Sequence, residues 1–181
     1  MAVKVLSERQ DYYNIHKTRN SENTDNFEYN CGGYALNTFA WYEPCDIDAI
    51  EDDIAYYIQE GLSKEEIYNI ILSHFTDIIL SEFQNIRLIT DSSEIKSDER
   101  LIYFRYFYNT VSDFDDNWED NTYYSYIRSD FHFRFFENGH WYEKCGSQPI
   151  CTCDGEDIDG PVWACGVNIY DSPIVKFALK I

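Results

Sequence analysis

The sequence predicts an α+β domain in which helices come first and an antiparallel sheet follows. Apolar residues recur at helical spacing between residues 30 and 80, and aromatic and β-branched runs of strand length fill residues 85–181. The two textures do not alternate, as they would in a parallel, doubly wound sheet. At 181 residues the chain has the size of a single domain, with a polar lead-in over residues 1–29. Its 44% hydrophobic and 18% aromatic content offsets the entropy of ordering and excludes intrinsic disorder.

The lead-in closes on Asn23-Thr24-Asp25-Asn26, turn formers that hold no long helix or strand. Asn30 then reads as the N-cap of a helix on which Cys31, Ala35 and Phe39 recur, with Tyr34 and Trp41 beside them, until Pro44 ends it. Ile47, Ile50, Ile54 and Ile58 mark a second helix that stops at Gly61. Ser63-Lys64-Glu65-Glu66 is a capping box, and Ile67, Ile70, Ile71, His74 and Ile78 share a stripe of the third helix, with His74 expected in the core. Strands are expected over residues 86–89, 101–108, 130–136, 141–144 and 174–179. The acidic stretches 113–121 and 154–160 read as solvated loops, since neither follows the EF-hand register.

Charge narrows the function classes. Fourteen basic against 33 acidic residues give a net charge of −19, which excludes direct nucleic-acid binding through phosphate contacts but suits a basic partner. No run approaches the roughly 20 apolar residues of a membrane-spanning helix, and the first residues turn charged before a secretory core forms, so a cytoplasmic protein is expected. In such a compartment the six cysteines are expected as free thiols, metal ligands or a nucleophile. Cys145, Cys151, Cys153 and Cys165 form an alternative zinc set, although their spacing lacks the paired knuckles of structural zinc sites. Otherwise no cofactor is expected.

The segment Asn30-Cys31-Gly32-Gly33-Tyr34-Ala35 puts a thiol at a helix N-terminus, where unsatisfied N–H groups favour thiolate and can hold an oxyanion. The following glycines are expected to let substrate approach the backbone. The alternative reading makes Cys31 a small buried residue at a helix start. In Asp130-Phe131-His132-Phe133-Arg134-Phe135-Phe136, Phe131, Phe133 and Phe135 share the core face and His132 and Arg134 the other, which is expected to meet the helix carrying Cys31. Asn138-Gly139 calls for a type I′ turn, so facing residue numbers sum to 277 and Arg134 opposes Glu143. Glu143 is then diagonal to His132, within reach to orient its ring. An ordinary Arg134–Glu143 ion pair is the alternative use of the same register.

These motifs resemble a group of bacterial and phage papain-like domains related to the NlpC/P60 cysteine peptidases. The matching stretches are Asn30-Cys31-Gly32-Gly33-Tyr34-Ala35-Leu36, Glu99-Arg100-Leu101-Ile102, Asp130-Phe131-His132-Phe133-Arg134 and Gly139-His140-Trp141-Tyr142-Glu143-Lys144-Cys145-Gly146. The resemblance implies Cys31 as nucleophile, His132 as general base and Glu143 as third residue, a departure from the histidine more usual there. It also implies a substrate and oxyanion environment including Gly32, Tyr34 and Arg134, and attack on a peptide, amide or related acyl bond of a peptide or protein. Two readings compete with catalysis: an acidic, phage-type decoy that binds a basic host defence protein, and a catalytically dead module that only binds.

Overall fold

The computed structural model describes residues 4–5, 29–38, 40–115, 122–147 and 150–181. Phe39, most of the polar lead-in and residues 116–121 of the first acidic stretch therefore lie outside the described residues. The helical part holds α1 (Cys31–Ala35), α2 (Ile47–Gln59) and α3 (Lys64–Glu82). The strands are β1 (Lys4–Val5), β2 (Ile86–Ile89), β3 (Glu99–Asp115), β4 (Thr122–Glu137), β5 (His140–Lys144), β6 (Ile150–Thr152), β7 (Trp163–Cys165), β8 (Asn168–Tyr170) and β9 (Val175–Lys180). Seven of them form an antiparallel sheet in the order β1-β6-β5-β4-β3-β9-β2, and β7 pairs with β8 as a separate hairpin. No helix among the described residues is long and apolar enough to cross a membrane.

Local signals explain where the helices begin and end. Ser63 and Glu66 close the reciprocal capping box at the start of α3, and Gly61 takes a φ of +84° in the turn before it. Asp46 caps α2, which buries Ile50 and Ile54 and leaves Ile58 40% exposed. The buried stripe of α3 is Ile67, Tyr68, Ile71, Leu72, Phe75 and Ile79, so His74 turns outward to solvent and not into the core. Helix α1 stops at Leu36, well short of Pro44, because the chain folds back to set Ala40 against Gly33 and Tyr42 against Gly32.

Strand β3 is buried on both faces from Leu101 to Tyr108, which makes it the centre of two layers. On one face Ile102, Phe104 and Tyr106 join Phe131, Phe133 and Phe135 of β4 against the three helices. On the other, Leu101, Tyr103 and Phe107 pack with Trp163 and Tyr170 of the β7–β8 hairpin. Strand β3 also runs on to Asp115, through the start of what reads as an acidic loop.

The β4–β5 hairpin has the predicted register, with Arg134 opposite Glu143 and Glu137 opposite His140. Asn138 and Gly139 take φ values of 52° and 83°, the two left-handed conformations of a type I′ turn. Pairing ends at Arg134, so on the β5 side the segment from Ser129 to Phe133 has no strand neighbour among the described residues. That open edge sets up the site.

Candidate functional site at the open edge of β4

Helix α1 packs on the phenylalanine face of β4, with Tyr34 against Phe135 at a ring separation of 5.0 Å and Gly32 against the Phe133 ring. The helix carrying Cys31 is therefore not on the His132 side, as the alternation suggested. The two residues meet across the uncovered edge instead. Cys31 Sγ lies 4.0 Å from the Phe131 carbonyl oxygen, and the thiol is close enough to the His132 ring to favour its protonated form.

Asn30 holds the helix that carries Cys31 in place. Its Oδ1 accepts from Gly33 N at 3.0 Å and from Tyr42 N at 3.2 Å, and its Nδ2 donates to Tyr42 O at 2.7 Å. The cap thus ties the helix start to the returning chain. Both glycines serve this approach of the protein's own backbone more than that of a substrate. A Cβ on Gly33 would lie 1.8 Å from the Ala40 carbonyl oxygen, and one on Gly32 would lie 2.8 Å from the Tyr42 ring. Gly33→Ala is expected to destabilise the protein by about 1–3 kcal/mol and to slow alkylation of Cys31, checked by urea denaturation and by mass spectrometry.

On the opposite face of β4, His132 and Arg134 are 1% and 0% exposed. His132 Nε2 lies 3.0 Å from Glu143 Oε2, and Arg134 Nε donates to the same oxygen at 2.8 Å. The ion pair and the histidine contact are thus both present, sharing one carboxylate oxygen. Because Nε2 faces Glu143, Nδ1 is the ring nitrogen left for the thiol. The imidazole stacks on Tyr170 at 5.1 Å between ring centres, and the Tyr170 hydroxyl donates to Asp130 at 2.7 Å. Sequence reasoning missed this contact of Tyr170 with His132, because its strand is three residues long and distant in the chain.

Arg134 Nη2 lies 2.8 Å from Glu156, and its guanidinium covers the Trp163 ring at 4.8 Å. The second acidic stretch is therefore not simply solvated, since Glu156 neutralises a buried cation and Ile158 is itself buried. Arg105, opposite His132 on β3, donates to the carbonyls of Gly160 and Pro161. Burial and the neighbouring Arg134 bring its pKa down to about 10.

Burial pushes His132 toward its neutral form, but its interactions with Cys31 and Glu143 outweigh that and raise its pKa from 6.5 to about 9. Burial likewise opposes the Glu143 charge, yet His132 and Arg134 hold its pKa below the usual carboxylate range. A raised folded-state pKa stabilises fully below the unfolded value and is lost as pH rises through the folded one. His132 therefore contributes about 3 kcal/mol at pH 6, lost as pH rises through 9. The Glu143 contribution has the opposite sense: it is full above the ordinary carboxylate pKa and disappears on acidification. The wild-type urea midpoint is expected to fall between pH 6.5 and 9, with a visibly flatter profile for His132→Gln; equal slopes would refute the assignment.

Cys31, 5% exposed, and His132 lie in a 490 Å³ cleft that is also lined by Trp41, Glu43, Asp130, Asn168 and Tyr170. Gly32, Tyr34, Arg134 and Glu143 lie outside its lining. Tyr34 belongs to the helix–sheet core and Arg134 acts through Glu143. Gly33 N is already spent on Asn30, whereas the N–H groups of Cys31 and Gly32 have no partner among the described residues.

The expected zinc set is not gathered. Cys145 and Cys165 form a disulfide, a departure from the expectation of free thiols, because the end of β5 and the β7–β8 hairpin meet beside His132. Cys151 sits opposite Glu143 on β6, and Cys153 lies in the smaller core. Burial pushes Cys45 and Cys151 up to about 11 and Cys153 higher still, so all three are thiols at neutral pH. Of the other histidines, His140 pairs with Asp154 at 2.6 Å on the surface, and His16 lies outside the described residues. No protein-family model, curated protein or solved structure matches the chain.

Proposed function

We propose that this is a papain-like, NlpC/P60-related domain acting as a cysteine-dependent hydrolase or acyltransferase on a peptide, amide or related acyl bond. The observation that carries the reading is the sequence of contacts from the Cys31 thiol to the His132 ring and from His132 Nε2 to Glu143, opening on a cleft. A nucleophile, a base and an orienting acceptor in that order are what covalent acyl transfer requires.

In this mechanism the Cys31 sulfur attacks the acyl carbon while its proton resides on His132. The carbonyl oxygen becomes an oxyanion facing the Cys31 N–H group. Collapse breaks the bond to the leaving amine or alkoxide, which takes the proton from the imidazolium and leaves a thioester on Cys31. A water or second amine, deprotonated by His132, then attacks the thioester, releases the product and returns the sulfur to its starting state. Glu143 keeps Nε2 engaged throughout, so that the opposite nitrogen points at the reacting atoms.

The test is alkylation of the native protein by iodoacetamide across pH, with sites mapped by mass spectrometry. Selective reaction at Cys31, dependent on His132, is the expected result. Reactivity at Cys31 no greater than at Cys45, Cys151 and Cys153 would overturn the reading and turn the search toward basic protein partners.

A further inference from the structure

Apart from the His132 imidazolium, the charged side chains lining the cleft around Cys31 are acidic. Among the described residues its lining includes the carboxylates of Glu43 and Asp130 and no lysine or arginine, in a chain of net charge −19. Of the cations around the cleft, Arg105 and Arg134 are sealed beneath Trp163, where backbone carbonyls and carboxylates engage them, Lys144 is buried and donates to the Gly146 carbonyl, and the exposed Arg128 donates to Asn168 Oδ1 at 3.1 Å.

The two acidic residues are not equivalent. Asp130 accepts from Tyr170 Oη at 2.7 Å, from Asn168 Nδ2 at 3.0 Å and from Phe131 N at 2.8 Å, and so serves the wall behind His132. Glu43 is exposed, and Oε1 accepts from Trp41 Nε1 at 2.8 Å. That bond ties the polar edge of an indole that is 48% exposed beside the nucleophile. A fixed aromatic face next to a carboxylate is chemistry that holds an ammonium or guanidinium group, by cation–π contact on one side and charge on the other. The surrounding negative field steers such a group in and keeps anions out.

We infer that the acyl substrates of this site carry a cationic side chain, lysine-like or arginine-like, next to the bond attacked, with Glu43 and Trp41 as its specificity determinants. This rests on Cys31 being the nucleophile. The test uses peptidyl chloromethyl ketones, in which the Cys31 sulfur displaces chloride to form a thioether. The reagents differ by a single side chain, lysine, norleucine or glutamate, at either of the two positions preceding the electrophile. Second-order alkylation rates of the full chain are read by intact mass and peptide mapping, with iodoacetamide as the uncharged reference.

Lysine is expected to exceed norleucine about tenfold at one of the two positions, with glutamate slower than both and added salt compressing the spread. Glu43→Gln and Trp41→Phe are each expected to lower the lysine-to-norleucine ratio about threefold. If Cys31 reacts with iodoacetamide and the norleucine reagent but lysine gives no advantage at either position, the substrate class is wrong and the nucleophile stands. If Cys31 reacts with none of the reagents, the nucleophile reading fails and takes this inference with it.

Discussion

Replacing His132 by alanine is expected to slow alkylation of Cys31 by iodoacetamide at pH 7 at least about tenfold. Turnover of an acyl substrate should fall further, about 10²–10⁴-fold, because the same ring also protonates the leaving group. The two readouts separate the two roles. Alkylation needs only the sulfur, so its rate should not decline on the alkaline side. Turnover also needs the imidazolium, which burial disfavours but Cys31 and Glu143 sustain up to about pH 9. A bell-shaped profile with its alkaline limb near that value is therefore expected for turnover alone. Cys31→Ser should remove both signals, since the cysteines outside the disulfide other than Cys31 are held protonated by burial. Unchanged alkylation of Cys31 in His132→Ala would show that the histidine does not activate it.

Much of this site was legible wherever one local rule governed it. The Asn138-Gly139 turn admits one favoured geometry, and that geometry alone carries Glu143 to Arg134 and to the diagonal of His132. Asn30 at the mouth of α1 and the Ser63–Glu66 box were legible for the same reason, because a cap is decided by its own side chain and the first turn. The side of the sheet on which Cys31 lies was not. Alternation along β4 shows that Phe131 and His132 point to opposite faces, but not that the adjacent strand stops at Arg134 and lets a thiol from one face reach a ring on the other. Tyr170 and Glu156 escaped because their contacts to His132 and Arg134 are long-range and lie on a three-residue strand and a turn with no periodicity to read. The glycines after Cys31 misled in a different way. Their smallness admits close approach, but nothing local specifies whether the visitor is a substrate or Ala40.

The second large effect concerns Glu143, where stability and chemistry share one carboxylate oxygen. Glu143→Ala is expected to cost about 3–5 kcal/mol, read as a fall in Tm of about 10 °C. Its Oε2 accepts from both Arg134 and His132, so truncation leaves Arg134 with Glu156 as its remaining acidic partner and Arg105 close by as a like charge. A buried guanidinium that has lost one of its two carboxylates and sits beside Arg105 is more expensive than the lost contacts, so removing the charge as well should restore part of the stability. The double variant Glu143→Ala/Arg134→Met is therefore expected to be less destabilised than the sum of its parts. Glu143→Gln separates structure from electrostatics, because its carbonyl still accepts a hydrogen bond while the negative charge is gone. It should fold, retain alkylation at Cys31 better than Glu143→Ala, and show a weaker loss of stability between pH 6.5 and 9, since less charge then holds the His132 proton. Should Glu143→Ala be as stable as wild type and alkylate as fast, Glu143 neither neutralises Arg134 nor orients His132, and the third member of the site must be sought elsewhere.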